Sequence, residues 1–275
     1  MSIKLAYSTL ACPDWSLAQV IEATKRDGFD GIELRLLDGE IVPPDLSAGE
    51  RERVATQTKA AGVPICCLDT SLRIASSVAD AETRAAAERD AAAYLEMAAQ
   101  FEAPLIRVFG GNPPEGQTVE DATPAMADLL GRMGQRAGQL GVGIALETHD
   151  AFSAAKDAMR VIGQVESKHV GVLWDTHHPY RMGESVAEAY NLVVSRLMHV
   201  HVKDAVEDAS ERTGWKLVLL GEGEVPVAEA VRYLKGVGYD KWIAVEWEKK
   251  WHPEIEPPEV ALPHDGALLR KWLSE

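Results

Sequence analysis

Four short apolar runs end in residues that could share one metal ion: Leu146-Glu147-Thr148-His149, Trp174-Asp175-Thr176-His177-His178, His199-Val200-His201-Val202-Lys203-Asp204 and Val245-Glu246-Trp247-Glu248. Carboxylates and imidazoles beside buried apolar sequence are costly unless paired or metal-bound. One such ending is ordinary capping or salt-bridge chemistry. Four in succession would crowd like charges without a partner. Glu147, Asp175, His201 and Glu246 together make a hard, oxygen-rich donor set, which favours Mn²⁺ or Mg²⁺ (Mn²⁺ foremost) and tolerates Co²⁺ or Zn²⁺. A cation held there would stabilise the charge that develops when a proton leaves a carbon next to a carbonyl. Glu147 and Glu246 are the candidate base and acid for moving that proton.

The neighbours of these four are weighed one by one. His149 and His177 are candidates for orienting the carboxylates, against the alternative of ordinary polar loop histidines. His199 lies two residues before His201 and therefore on the same strand face; it is expected deeper, as a hydrogen-bonded histidine. Lys203 could hold a substrate oxygen or polarise a carbonyl, whereas Asp204 is expected to cap a turn. Trp247 is expected to pack between barrel and helices. Glu33 and Arg35 share a face of strand two, with Arg35 a candidate substrate contact. Tyr7, Asp69 and Arg107 are candidate pocket walls or members of structural ion pairs. Gly221-Glu222-Gly223 resembles a phosphate loop, but its glutamate disfavours an anion and a simple turn is the cheaper reading. Met126, Met133 and Met159 read as packing.

Positioning these residues calls for strands buried on both faces, alternating with helices. Strands are expected at 3–10, 31–36, 64–70, 105–110, 143–148, 170–175, 197–202 and 242–247, each a short run rich in Val, Ile or Leu. Helical patterns at 17–27, 48–61, 81–101, 123–140, 154–164, 186–195, 226–236 and 265–273 separate them. Asp14 and Ser16 are candidate caps for the first, with Gly28 its stop. Ser47-Ala48-Gly49-Glu50 has capping-box spacing. Strict alternation predicts a single-domain (β/α)₈ TIM barrel spanning 1–275, in which strand C-termini converge on one rim. A doubly wound sheet would show a glycine-rich turn after strand one, where Ser8-Thr9-Leu10-Ala11 stands instead. The Pro-rich, acidic stretch Trp251–Pro263 is expected to be an ordered loop that walls the pocket or meets a second subunit.

With 43 acidic against 28 basic side chains and a formal charge of −15, the chain is ill suited to nucleic acid or anionic membranes. A local basic pocket for a small anion is still compatible with that balance. Three cysteines, two adjacent, argue against a disulfide framework and for a reducing cytoplasm. Leu10-Ala11-Cys12 mimics a lipoprotein signal but lacks its basic and apolar regions, and no run approaches the ~20 apolar residues of a membrane span.

The order Glu147, Asp175-x-x-His178, His201-x-Lys203-Asp204, Glu246 on strands five to eight resembles the sugar isomerase/epimerase superfamily. This xylose-isomerase-like TIM barrel group includes ketose 3-epimerases, hydroxypyruvate isomerases, inosose dehydratases and endonuclease IV. The resemblance implies that Glu147, Asp175, His201 and Glu246 bind the metal, that the two glutamates form the acid/base pair, and that His178 touches a substrate oxygen. With the candidates read from their own positions, the expected substrate contacts are His178, Lys203, Arg35, His149 and Arg107. His201-x-Lys203-Asp204 is similar to inosose-dehydratase-like members and departs from 3-epimerases, where an arginine follows the histidine. The leading expectation is a metal-dependent isomerase or epimerase of a ketose or related carbohydrate, working through an enediolate. The alternative is a lyase that opens in the same way and then expels a β-substituent. Abasic-site cleavage and non-catalytic sugar binding rank lower. The stiff 251–263 segment favours a homo-oligomer or a partner subunit.

Overall fold

The computed structural model describes residues 2–275. Eight parallel strands close into a barrel: β1 (Lys4–Ser8), β2 (Gly31–Leu34), β3 (Ile65–Arg73), β4 (Leu105–Phe109), β5 (Gly143–Glu147), β6 (Val170–Asp175), β7 (Leu197–Val202) and β8 (Trp242–Val245). Each strand pairs with its sequence neighbours, and β1 pairs with β8 to complete the ring. Most barrel positions are buried on both faces, which is why the strands read as unbroken apolar runs.

Among the described residues nine α-helices accompany them: α1 (Leu17–Arg26), α2 (Ala48–Ala61), α3 (Ala81–Gln100), α4 (Val119–Leu140), α5 (Ala155–Ile162), the short α6 (His177–Arg181), α7 (Val186–Val193), α8 (Val227–Gly236) and α9 (Pro258–Ser274). Ser16 caps α1 in a box with Gln19, and Ser47 accepts from the Glu50 amide at the start of α2. Two helices begin earlier than expected. A Thr118–Asp121 capping box starts α4 at Val119 and leaves Pro124 inside it. Pro258, whose missing N–H costs nothing in a first turn, starts α9 within the stretch expected to be loop. Pro263 sits inside that helix, whose buried face of Ala261, Leu262, Leu269 and Trp272 offsets the lost bond. The loop therefore ends at Pro257.

Two antiparallel hairpins stand outside the barrel alternation. Leu36–Leu37 pairs with Glu40–Ile41, so β2 stops at Leu34 rather than Leu36. Asp204–Glu207 pairs with Trp215–Val218, projecting a ribbon from the C-terminal end of β7. Tyr7 faces outward from β1, donating to Val20 O at 2.8 Å and meeting Phe29 edge-on; it is not a pocket wall. Trp247 is buried and donates to Glu256 O, packing as expected.

Candidate metal centre and substrate pocket

The C-terminal ends of β5 to β8 bring Glu147, Asp175, His201 and Glu246 together. Each offers one donor atom, and all four atoms lie within 4.8 Å of one another. Opposite ligands of an ion with ~2.1 Å bonds sit about 4.2 Å apart, so closing on one ion needs only a slight contraction. His201 carries Nδ1 3.1 Å from Glu147 Oε1 and 3.5 Å from Glu246 Oε1. Burial disfavours the imidazolium, but Glu33, Glu246 and Glu147 outweigh that and hold the His201 pKa well above its ordinary value. A cation at Nδ1 would take the place of that proton.

Local backbone aims the carboxylates. Asp175 Oδ1 accepts from the His177 and His178 amides, the first two of α6, at 2.8 and 3.2 Å. Its Oδ2 then faces Lys203 Nζ at 3.0 Å. Burial, against the opposing pull of Lys203, raises Asp175 to about 6. Glu147 Oε2 is buried without a hydrogen-bond partner, with Arg107 Nε 3.4 Å away. Burial and Glu246 push the Glu147 carboxyl up, but Arg107 and His201 together leave it below the usual range. Glu246 has the same burial penalty, overcome by Lys203 and His201, and ends well below.

Lys203 is buried among three carboxylates: Glu246 Oε2 at 2.5 Å, Glu248 Oε1 at 2.7 Å and Asp175 Oδ2. The structure thus gives it a charge-balancing position beside the cluster. Asp204 caps a turn as expected, and more fully than expected. Its Oδ2 accepts from the Gly221 and Gly223 amides and its Oδ1 from Ala205 and Val225. A Cβ at Gly223 would fall 2.0 Å from Asp204 Oδ1, so the glycine is needed for this close approach.

One participant was placed in the sequence only by the face it shares with Arg35. Glu33, fully buried on β2, accepts from both histidines of β7: Oε2 meets His199 Nε2 and Oε1 meets His201 Nε2, each at 2.7 Å. This fixes His199 deeper in the barrel and turns His201 Nδ1 towards the carboxylates. A glutamate among apolar barrel positions, on the same face as a candidate substrate contact, was the available signal. Asp69 sits beside this pair, 3.5 Å from Arg107 Nη2.

Above the cluster opens a cavity of about 420 Å³ lined by Arg35, Arg107, Phe109, His149, His177, His178, Trp215, Glu246 and Trp251, among others. Four of the five expected substrate contacts, His178, Arg35, His149 and Arg107, line it. Neither ring nitrogen of His177 or His178 has a hydrogen-bond partner. Burial, reinforced by Lys203, lowers His177 to about 3 and holds His178 well below its ordinary value, so both present neutral imidazoles. His149 lies 3.0 Å from Asp150 and packs on Phe109 and His178. It walls the pocket and orients none of the cluster carboxylates. The 251 loop does line the cavity through Trp251 and His252, and Lys250 ties it to Leu10 O and Gly39 O.

Fold and rim together define a (β/α)₈ barrel with a mixed carboxylate–imidazole cluster at the usual catalytic end. The family model for the xylose isomerase-like TIM barrel matches residues 21–272, and the chain belongs to that family. Among curated proteins it is 26% identical over 171 residues to an inosose dehydratase of Geobacillus thermodenitrificans (strain NG80-2), covering 57% of this chain and 55% of that protein. The matched segment thus spans about half the length of that relative. Two solved structures share the fold: the IOLI protein with a bound zinc atom (TM-score 0.83, 17% identity, 99% of this chain and 98% of the other) and 3-keto-D-glucoside 4-epimerase YcjR from E. coli (TM-score 0.77, 20% identity, 98% and 100%). No helix among the described residues is long and apolar enough to cross a membrane.

Proposed function

We propose that this chain is a divalent-metal-dependent enzyme that moves a proton at the carbon next to a carbonyl in a ketose or related carbohydrate. Isomerisation or epimerisation is the leading outcome. The observation that carries this reading is the convergence of four donor atoms within 4.8 Å of one another, one of them from Glu246 in the pocket wall. Glu147, Asp175, His201 and Glu246 would hold the ion, and their hard donors favour Mn²⁺. When bound, the ion supplies positive charge that stabilises the oxyanion developing on the carbonyl oxygen.

The protein's own groups do the rest. Glu246 lines the cavity and would take the proton from carbon once its carboxylate turns off Lys203; Glu147, reaching the same imidazole nitrogen from β5, would return to carbon a proton taken up from solvent. His177 and His178, neutral and without partners, can each donate to or accept from a sugar hydroxyl. Trp215 and Trp251 wall the site.

Elimination is the second reading, supported by the His201-x-Lys203-Asp204 segment and by the similarity to an inosose dehydratase. Both outcomes begin with proton abstraction. Incubation of the metal-loaded protein with keto sugars and inososes in D₂O, followed by NMR, tests the shared step: deuterium should enter the carbon next to the carbonyl. Its absence across the panel would refute the reading. A reprotonated isomer then marks the isomerase or epimerase, and an ultraviolet-absorbing enone the lyase. Three buried free thiols agree with a reducing cytoplasmic setting. Trp251, 49% exposed at the pocket edge, is the natural contact for the second copy or partner subunit that completes this reading.

A further inference from the structure

In a chain of formal charge −15, the pocket wall carries five arginines: Arg35, Arg73, Arg107, Arg181 and Arg212. Only Arg107 lies within ion-pair distance of a carboxylate among the described residues. Among the described residues outside the pocket, Arg26, Arg53, Arg132, Arg136, Arg160, Arg232 and Arg270 each meet an acidic partner, and Arg51, Arg84, Arg89 and Arg196 do not. Against these five the pocket wall carries three carboxylates, Asp150, Glu246 and Glu248, with His149 beside Asp150 and Lys203 beside the two glutamates. The uncompensated charge of the cavity is therefore positive.

Arg35 is the most telling of the five. It is only 6% exposed, and its Nη1 donates to Asp69 O at 3.2 Å and Ser71 Oγ at 2.9 Å. Those neutral contacts hold the guanidinium in place without neutralising it. Burial, with Arg107 close by, lowers its pKa to about 10. Asp69 and Glu246 act on Arg35 only from beyond ion-pair distance; a buried cation with no carboxylate in direct contact is expensive, and an anionic ligand group would lower that cost. Arg35 directly follows β2 and Arg73 ends β3, on the half of the barrel opposite β5 to β8, while Arg107 on β4 reaches Glu147 at the edge of the metal cluster.

We propose that the substrate is a sugar acid, with its carboxylate seated on Arg35 and Arg73 while its carbonyl end meets the metal cluster. This deepens the proposed function and rests on its placing of the substrate in this pocket. A planar guanidinium matches a carboxylate in a two-bond fork. Phosphate is the less suitable anion. Barrels that bind phosphate commonly use backbone amides of the loops after strands seven and eight. After β7 the amides of Gly221, Gly223 and Val225 are all taken by Asp204.

The matched probes D-glucuronate, D-glucose and D-glucose 6-phosphate differ only at C6. Isothermal titration of each into the metal-loaded full chain reads binding without turnover. Glucuronate should bind at least about ten-fold tighter than glucose and tighter than the phosphate ester, and added salt should weaken that preference. Arg35→Gln should abolish the preference. Arg73→Gln, on an exposed side chain whose loss does not threaten the fold, should reduce it about three-fold. Equal affinity for the three probes, tighter binding of the phosphate ester, or a preference unchanged in both variants would overturn the inference. Deuterium exchange into neutral keto sugars without any carboxylate preference defeats only this inference. Carboxylate preference without exchange into any keto sugar or keto acid defeats instead the proposed reaction.

Discussion

Replacing Glu33 by glutamine should loosen the metal site without removing any of its ligands. The Glu33 carboxylate accepts from His199 Nε2 and His201 Nε2, each at 2.7 Å. It therefore favours a proton on Nε2 of His201, leaving Nδ1, 3.1 Å from Glu147 Oε1, as the donor to a cation. Glutamine has nearly the same shape but carries no charge. It can also donate its own N–H to one ring, which would favour the opposite tautomer. A hydrogen bond to a charged group is worth about 1.5–3 kcal/mol, or roughly 10–100-fold in binding, which agrees with the ~10–100-fold effect of losing the carboxylate partner of a metal-bound histidine. The assay is titration of the metal-free protein with Co²⁺, followed by visible absorption and calorimetry, with thermal melting as a control for folding. The expected result is a Kd raised by about 10–100-fold with cooperative melting retained. A Glu33→Gln protein that binds Co²⁺ within two-fold of wild type, at intact stability, would refute the assigned role of Glu33.

Glu246→Gln should lower the rate of α-proton exchange in D₂O by about 10²–10⁴-fold; retention of full exchange would remove Glu246 as the base. Lys203→Met should leave Asp175, Glu246 and Glu248 without their shared counter-charge and cost the metal-free protein about 3–5 kcal/mol by chemical denaturation. Added Mn²⁺ should restore more stability to this variant than to wild type, and an equal gain in both would contradict the charge-balancing role. Asp265, buried in α9, has its pKa raised to about 6, chiefly by burial. Its folded form therefore holds a proton more tightly than the unfolded chain, so its contribution to stability is lost as pH rises from about 4 to 6. Asp265→Asn lacks that dependence and should gain on wild type by up to about 3 kcal/mol between pH 4 and 7. A pH-independent difference in denaturation free energy would show that the Asp265 carboxyl is not perturbed.

The barrel was legible because strands buried on both faces leave unbroken apolar runs, and helices between them carry capping signals such as Ser16, Ser47 and Gly28. The cluster was legible because a polar side chain at the end of such a run is costly unless it has a purpose. Long-range partnership was not. Glu33 meets His201 across 168 positions of sequence; the pattern of β2 marks the glutamate as unusual but does not name its partner. The two hairpins escaped because strands of two to four residues show no periodicity. Pro258 and Pro263 hid the start of α9, since a proline reads as a stop until it is known to lie near the first turn. Asp204 was read as a turn cap, yet its occupation of the Gly221–Gly223 amides, which bears on the anion the pocket can take, required coordinates.

The central claim is that Glu147, Asp175, His201 and Glu246 grip one cation. A crystal structure of the protein loaded with Mn²⁺, with anomalous diffraction recorded at the manganese edge, tests it most directly. A single strong peak is expected about 2.0–2.3 Å from one donor atom of each of the four residues. No peak at the rim, or one held by other side chains, would contradict the account.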